Sequence, residues 1–318
     1  MRRTAGLTLT ALGAFLVTLA ALLRLWVPGQ VIKFPLNEYS VTTLSGTGIT
    51  YFNSASLGDF RNTQATEIIT IEGNVSAGSA STAVWSSFTA LNDETRKTLI
   101  SRQSRVVAFN RRTGALRNCC GSSVGSGTQV TQSGLGYRFP FNTAHRTYQV
   151  YDVTLHRPVP FRFAGTARVD GIAADKFVDQ ITRVKVGQQT LPAQIAGLPN
   201  QEGDVTLGEY LTETTTYWVD PLTGIPVDMV LRQRTDLESA SGTPRLVLLA
   251  GTLAQTPASV RAAVTASSKS HKLITWIEEL GPLVGVGGGG VALIIGILLL
   301  WRSAKPQEPA YDEEMVDA

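Results

Sequence analysis

The chain has 318 residues, 43% of them hydrophobic and 17% charged, with the apolar residues concentrated at its two ends. Its net charge of +3 is small and scattered, and no basic stripe interleaved with aromatics is present, which excludes nucleic acid as a partner class.

The N-terminus reads MRRTAGLTLTALGAFLVTLAALLRLWVPG. Over residues 5–26, about 22 positions carry only Arg24, near the far end, where a long side chain reaches the headgroups; that run is long enough to span a bilayer. A cleaved signal peptide would share the Arg2/Arg3 start, but the run is long for one and no A-x-A site closes it. Residues 1–27 are therefore expected to be a retained anchor.

Between residues 28 and 255 the periodicity changes to two-residue alternation. EIITIEGNVS, TYQVYDVTL, PFRFAGTARV, DKFVDQITRVKV, TTTYWVD, PVDMVLRQRTDL and RLVLLAGTLA all favour β-branched or aromatic residues with polar alternates. The fold class expected is mainly β with minor α: a large antiparallel domain, either one curved sheet or two related sheet units, between terminal transmembrane helices. Helix is expected at NDETRKTLISR, which opens on a capping-type Asn92, and over residues 256–279, which begin Thr256-Pro257.

Two stretches share one scheme. VVAFNRRTGALRN and TYWVDPLTGIPVD each place an apolar strand before Asn or Asp, two residues, Thr-Gly and a second alternating strand. Each is read as a hairpin tip, with Asn110, Thr113 and Gly114 in one and Asp220, Pro221, Thr223 and Gly224 in the other. The echo either marks two related sheet units or reflects how common such turns are. YWVDPLTGIPVD, with the earlier ARVDGIAADKF, also resembles the strand-turn-strand signature of bacterial lipoprotein-carrier sheets. That likeness implies a curved sheet around an apolar cavity for acyl chains.

Residues 280–301 are uncharged, with Trp276 and Trp301 suited to the two interfaces and Arg302 and Lys305 following. Basic residues thus flank the outer ends of both spans, which puts both termini in the cytoplasm and residues 28–272 outside, although Lys269 and Lys272 sit near the other end of the second span. GVGGGG lies inside this apolar run without a following Lys-Ser/Thr, so it is no phosphate loop. Gly281, Gly285 and Gly289 fall at intervals of four, as do Gly288, Ala292 and Gly296, giving two smooth helix tracks for the first span or for a second copy of the chain. The tail, 302–318, is acidic and is expected to be a disordered cytoplasmic segment.

The two cysteines of the chain, Cys119 and Cys120, are neighbours. Outside the cytoplasm they should not persist as idle thiols. Three fates are open: a disulfide between them, which strains a short ring, pairing across two copies, or buried reduced thiols; the first is expected. Metal is not expected, because adjacent sulfurs lack partners at ligand spacing.

No cofactor and no enzymatic activity are expected. Gly121, Ser123 and Gly125 fit G-x-S-x-G, but no helix follows. His145, His156 and Asp152 flank one strand and are read as rim polar residues rather than a triad. Glu67, Glu72, Asp170, Asp175, Asp179 and Asp220 are read as solvated faces and turn caps.

Taken together, the terminal spans, RRTGALRNCC, GLGYRFPFNTAHRTYQVYD and YWVDPLTGIPVD resemble an actinobacterial membrane-protein family often labelled PorA family porin. The likeness covers essentially the whole chain. It implies an envelope protein with an extracytoplasmic β domain associated with envelope lipid or lipoglycan. A transmembrane barrel is not expected, since helices cross the membrane here. The combined expectation is a membrane-anchored protein whose β domain binds membrane lipid or glycolipid and works with envelope-building membrane proteins. The alternative is a scaffold without ligand.

Overall fold

A computed structural model describes residues 2–125 and 130–303. The acidic tail expected at 302–318 lies outside the described residues from 304 on. The chain divides into a helical unit, drawn from the residues up to Ile32 and from Lys272 on, and a middle unit, Lys33–His271. The helices are α1 (Arg2–Leu25), α2 (Val27–Val31), α3 (Pro257–Thr275) and α4 (Gly281–Ser303), with a π-helical turn at Trp276–Leu280.

Among the described residues, two helical stretches are long and apolar enough to cross a membrane, Arg3–Leu25 and Pro257–Ser303, the second beginning in the middle unit. α1 and α4 run antiparallel, because Gly6 stands beside Leu300 and Ala20 beside Gly285. Backbone meets backbone at their crossing: a Cβ on Gly13 would lie 2.6 Å from the Gly289 carbonyl oxygen, and one on Gly289 would lie 2.9 Å from that of Gly13. Gly285, Gly289 and Gly296 all face α1, and Gly281 lies near Leu23. Gly288 has open space around it and Ala292 is half-buried, so the face turned to α1 takes the first expected track together with Gly296 of the second. The small residues serve the close approach that helix pairs in lipid depend on.

Among the described residues the middle unit holds twelve strands: β1 (Tyr39–Asn53), β2 (Gly58–Gly73), β3 (Thr82–Asp93), β4 (Thr98–Asn110), β5 (Leu116–Arg117), β6 (Ser123–Val124), β7 (Tyr148–Asp152), β8 (Arg157–Val169), β9 (Ile172–Pro192), β10 (Asp204–Val219), β11 (Pro226–Glu238) and β12 (Pro244–Gln255). They form one antiparallel sheet in the order β5-β4-β3-β2-β1-β12-β11-β10-β9-β8-β7, with β6 also on β4. The curved single sheet is therefore the form adopted: the two halves of the meander are fused where β1 pairs with β12. The sheet curls into a half-barrel, and Leu135 laces its edges by bridging Ala115, next to β5, and Val150 of β7.

The expected helix at NDETRKTLISR is instead the β3–β4 hairpin. Asp93 caps the turn by accepting the Thr95 N–H at 2.7 Å, Lys97 takes a left-handed conformation (φ 55°), and the alternating residues beyond pair with β3. Five hairpins share this device. Asn53, Asp93, Asn110, Asp152 and Asp220 each accept the N–H two residues on, and Leu57, Lys97, Gly114, His156 and Gly224, four residues on, have positive φ. Leu57 is a half-exposed branched residue in a region that disfavours L side chains by about 1–2 kcal/mol. Leu57→Gly should stabilise the middle unit by about 0.5–1 kcal/mol after the entropy of glycine is set against that strain, a gain that a shifted thermal midpoint of the full chain would report.

Candidate functional site

Period-two alternation on a curled sheet turns every second residue into the concavity. Across it runs the segment after the cysteine loop, clamped by the two hairpins whose sequences echo each other. Gly114 and Gly224, with φ of 70° and 69°, abut the carbonyls of Arg138 and Phe139, consecutive residues of GYRFPF. Phe139 N–H donates to the Gly224 carbonyl at 3.0 Å, Asn142 N–H to Leu222 at 3.2 Å and Thr143 N–H to Pro221 at 2.7 Å. The Asp220 carboxylate accepts from the Thr223 hydroxyl at 2.9 Å and from Ser267 of α3, with His271 Nδ1 3.6 Å away. Thr113 accepts the Ala115 N–H at 3.3 Å. The echoed hairpins thus hold one strap from both sides, a relation the sequence reading did not draw.

The strap is aromatic because it fills the concavity. Phe139 stacks on Phe177 with ring centroids 5.0 Å apart and meets Tyr148 edge-on at 5.4 Å; Phe141 stacks on Phe34 at 4.5 Å. Arg138 is tied to Glu38 at 2.8 Å. Beside the strap the concavity is not filled. A cleft of about 410 Å³ remains, lined by Ile69, Ile71, Tyr217 and Met229 of the sheet and by Ala263 and Ala266 of α3. α3 is held there by Ser259, whose hydroxyl accepts the Thr43 N–H at 2.9 Å, and by Ser267 on Asp220.

A second cleft of about 210 Å³ adjoins the first, sharing Ile69, Tyr137, Val150, Tyr217 and Met229, and the side chains that line it alone mix charged and polar groups with Val153, Val159 and Phe161. Arg105, Tyr151, Asp152, Asp179 and Glu213 line it. Arg105 is only 6% exposed; its Nε donates to Gln132 Oε1 at 2.8 Å, and its guanidinium stands 5.2 and 5.1 Å from the Tyr137 and Tyr151 rings. Gln132 is in turn fixed by Asn118, which accepts its N–H at 2.7 Å, so the cysteine loop braces the arginine. Arg105 Nη2, the Tyr151 hydroxyl and Asp179 Oδ1 are buried without partners, as is Glu67 Oε2 nearby.

Burial raises the carboxyls of this region. Glu213 is pushed up to about 7, first by burial and then by Asp152, and Glu67 to about 7 by burial; Asp179 is also raised, chiefly by burial. The reading of Glu67, Asp175 and Asp179 as solvated or turn residues needs correction: Asp175 and Asp179 alternate on the face of buried Phe177, and Glu67 stands opposite buried Leu44; Asp220 is the turn cap expected, and it is buried. Glu213 carried no signal beyond that same alternation. Among the described residues, no three His, Cys, Asp or Glu side chains stand together as metal ligands.

Cys119 and Cys120 are bonded to each other, with Cys120 at φ 61°. The structure does not assemble the residues that could be drawn as a triad. Asp152 caps its hairpin, His156 occupies the left-handed position of that turn, and His145 stacks on Phe163 with Nε2 3.1 Å from Asp175. Ser123 lies in β6, paired with β4.

A family model described as Porin PorA matches residues 5–298. Comparison with curated proteins returns no match.

Proposed function

The chain belongs to the Porin PorA family, and from that premise we propose that it is a two-pass, non-enzymatic protein of the cell envelope whose β unit binds the acyl chain of a lipid or glycolipid. In this reading the β unit lies outside the cytoplasm and passes the ligand to, or holds it for, envelope-building membrane proteins. The observation that carries it is the cleft of about 410 Å³ between the strap, α3 and the sheet, which falls in the range of about 300–1,000 Å³ for small-molecule sites. Its walls are mostly aliphatic and aromatic. A scaffold without ligand would have filled that space with its own side chains, since interiors pack to near crystal density.

The antiparallel α1 and α4 support this orientation, because they bring Arg3 and Arg302 to the same end of the helix pair. The bonded cysteines suit an oxidising compartment. A pore through this sheet is not part of the proposal. A membrane barrel needs an outward apolar band about 25 Å tall, whereas the outward positions of β4, β9 and β11 include exposed Arg102, Gln180, Arg232 and Arg234.

Cells fed a photoactivatable fatty acid test the assignment. Crosslinks on the full-length protein are expected at residues 39–42 and 262–266, and Ala262→Trp, which fills the cleft, should abolish them. Crosslinks confined to α1 and α4 would overturn the reading.

A further inference from the structure

Resting on the acyl-chain reading of the neighbouring cleft, we propose that the polar cleft seats a neutral, polyhydroxylated headgroup, so that the preferred ligand is a glycosylated lipid rather than a phospholipid. The two clefts adjoin at Ile69, Tyr137, Val150, Tyr217 and Met229, which line both, so an amphiphile could place an apolar stem in one and a polar head in the other.

The chemistry of the head is set by what is left unpaired. Arg105, Tyr151 and Asp179 are 6%, 4% and 3% exposed, and each lines the polar cleft. Each also keeps a buried atom without a partner: a guanidinium Nη2 that donates, a phenol that does either, and a carboxyl Oδ1 that accepts. Buried polar groups are almost always satisfied, so three orphans around one cavity mark the place where a ligand's groups belong. A sugar hydroxyl both donates and accepts, and vicinal hydroxyls satisfy a mixed set that a pure donor or a pure acceptor cannot. Tyr137, Tyr151 and Tyr217 also line this cleft and give it aromatic surface against which the C–H side of a sugar ring can pack.

Charge argues against the common anionic alternative. Asp152, Asp179 and Glu213 face the cavity against one guanidinium, so a phosphate would enter a field dominated by carboxyls and lose its hydration without a matching cation. Arg105 is already engaged through Nε with Gln132 and by two tyrosine rings.

The full chain in lipid discs, carrying the photoactivatable fatty acid, is challenged with an alkyl glucoside, the alcohol of the same chain length and the corresponding alkyl phosphate. The glucoside should displace the label at about tenfold lower concentration than the alcohol, the worth of one or two well-made hydrogen bonds, and the phosphate should be the weakest. Tyr151→Phe, which removes one oxygen and keeps the ring, and Asp179→Asn should each move the glucoside-to-alcohol ratio towards one. Equal displacement by glucoside and alcohol, or a phosphate stronger than both, overturns the headgroup assignment and leaves the acyl cleft standing. Failure of all three to displace a label that sits on α1 and α4 removes both.

Discussion

Gly224→Ala should be among the most damaging single-methyl changes in the middle unit, lowering its stability by more than about 3 kcal/mol, with the thermal midpoint of the full chain as the readout. Two penalties combine. A residue with a Cβ at φ 69° carries about 1–2 kcal/mol of left-handed strain. The added carbon would also overlap the Phe139 carbonyl oxygen and stand 2.8 Å from that of Pro140. The strap would have to lift, weakening the hydrogen bonds from Phe139 to Gly224, Asn142 to Leu222 and Thr143 to Pro221, each worth about 1 kcal/mol net. Phe139 would lose its seat against Phe177. Gly171→Ala supplies the control: φ is positive there too, at 89°, but nothing lies within 4 Å of the added carbon, so only the conformational penalty should register. Similar losses in the two variants would mean that the hairpin does not clamp the strap.

The same hairpin shows how far the sequence could be read. Asp220, Thr223 and Gly224 announced a turn because their side-chain chemistry acts within five residues, and local chemistry is legible locally. The partner of that turn, residues 139–143, lies some eighty positions upstream in a stretch with no periodicity, and no short-range pattern points to it. The single curved sheet was likewise within reach of alternation, but alternation cannot say whether β1 pairs with β12 or whether the two halves close separately. NDETRKTLISR misled because Asn92 is a good helix cap while the neighbouring Asp93 is an equally good hairpin cap, and pairing with β3 decided between them. In α4 the intervals of four marked real close approaches, yet a straight helix with 3.6 residues per turn drifts off a strict four-residue track. This is why Gly289 and Gly296, seven apart and from different tracks, share the face that meets α1.

The inward carboxyls were invisible for a further reason: a polar residue on a strand looks the same whether its face meets water or a cavity, and only the curl of the sheet distinguishes them. Hydrophobic neighbours in the alternate positions, Leu211 beside Glu213 or Phe177 and Ile181 beside Asp179, were the available hint. Glu213, Asp179 and Arg105 therefore reside where an apolar core would otherwise be, and such unfilled polar interiors are the usual mark of function over stability.

That interior makes the fold sensitive to pH in a defined direction. Glu67 and Glu213 have an ordinary value of 4.5 and are each pushed up to about 7 by burial, with Asp152, Asp179 and Glu67 raising Glu213 further and the Thr215 hydroxyl, 2.9 Å away, opposing. Between those values the folded chain holds protons that the unfolded chain has released, so the stabilising effect is complete below about pH 4.5 and is lost as the pH rises through 7. The two carboxyls titrate as a coupled set, and the loss from pH 5 to pH 8 should be about 2–4 kcal/mol in total rather than a full contribution from each. Arg105 and the carboxyls of Asp152 and Asp179 share the field and move the midpoint, but not the sign. Urea unfolding of the full chain at pH 5 and pH 8 reads the difference, and Glu67→Gln combined with Glu213→Gln should flatten it while raising stability at pH 8. A pH slope that survives in the double variant would show that other groups carry it, and that these two carboxyls are better hydrated than their place in the concavity implies.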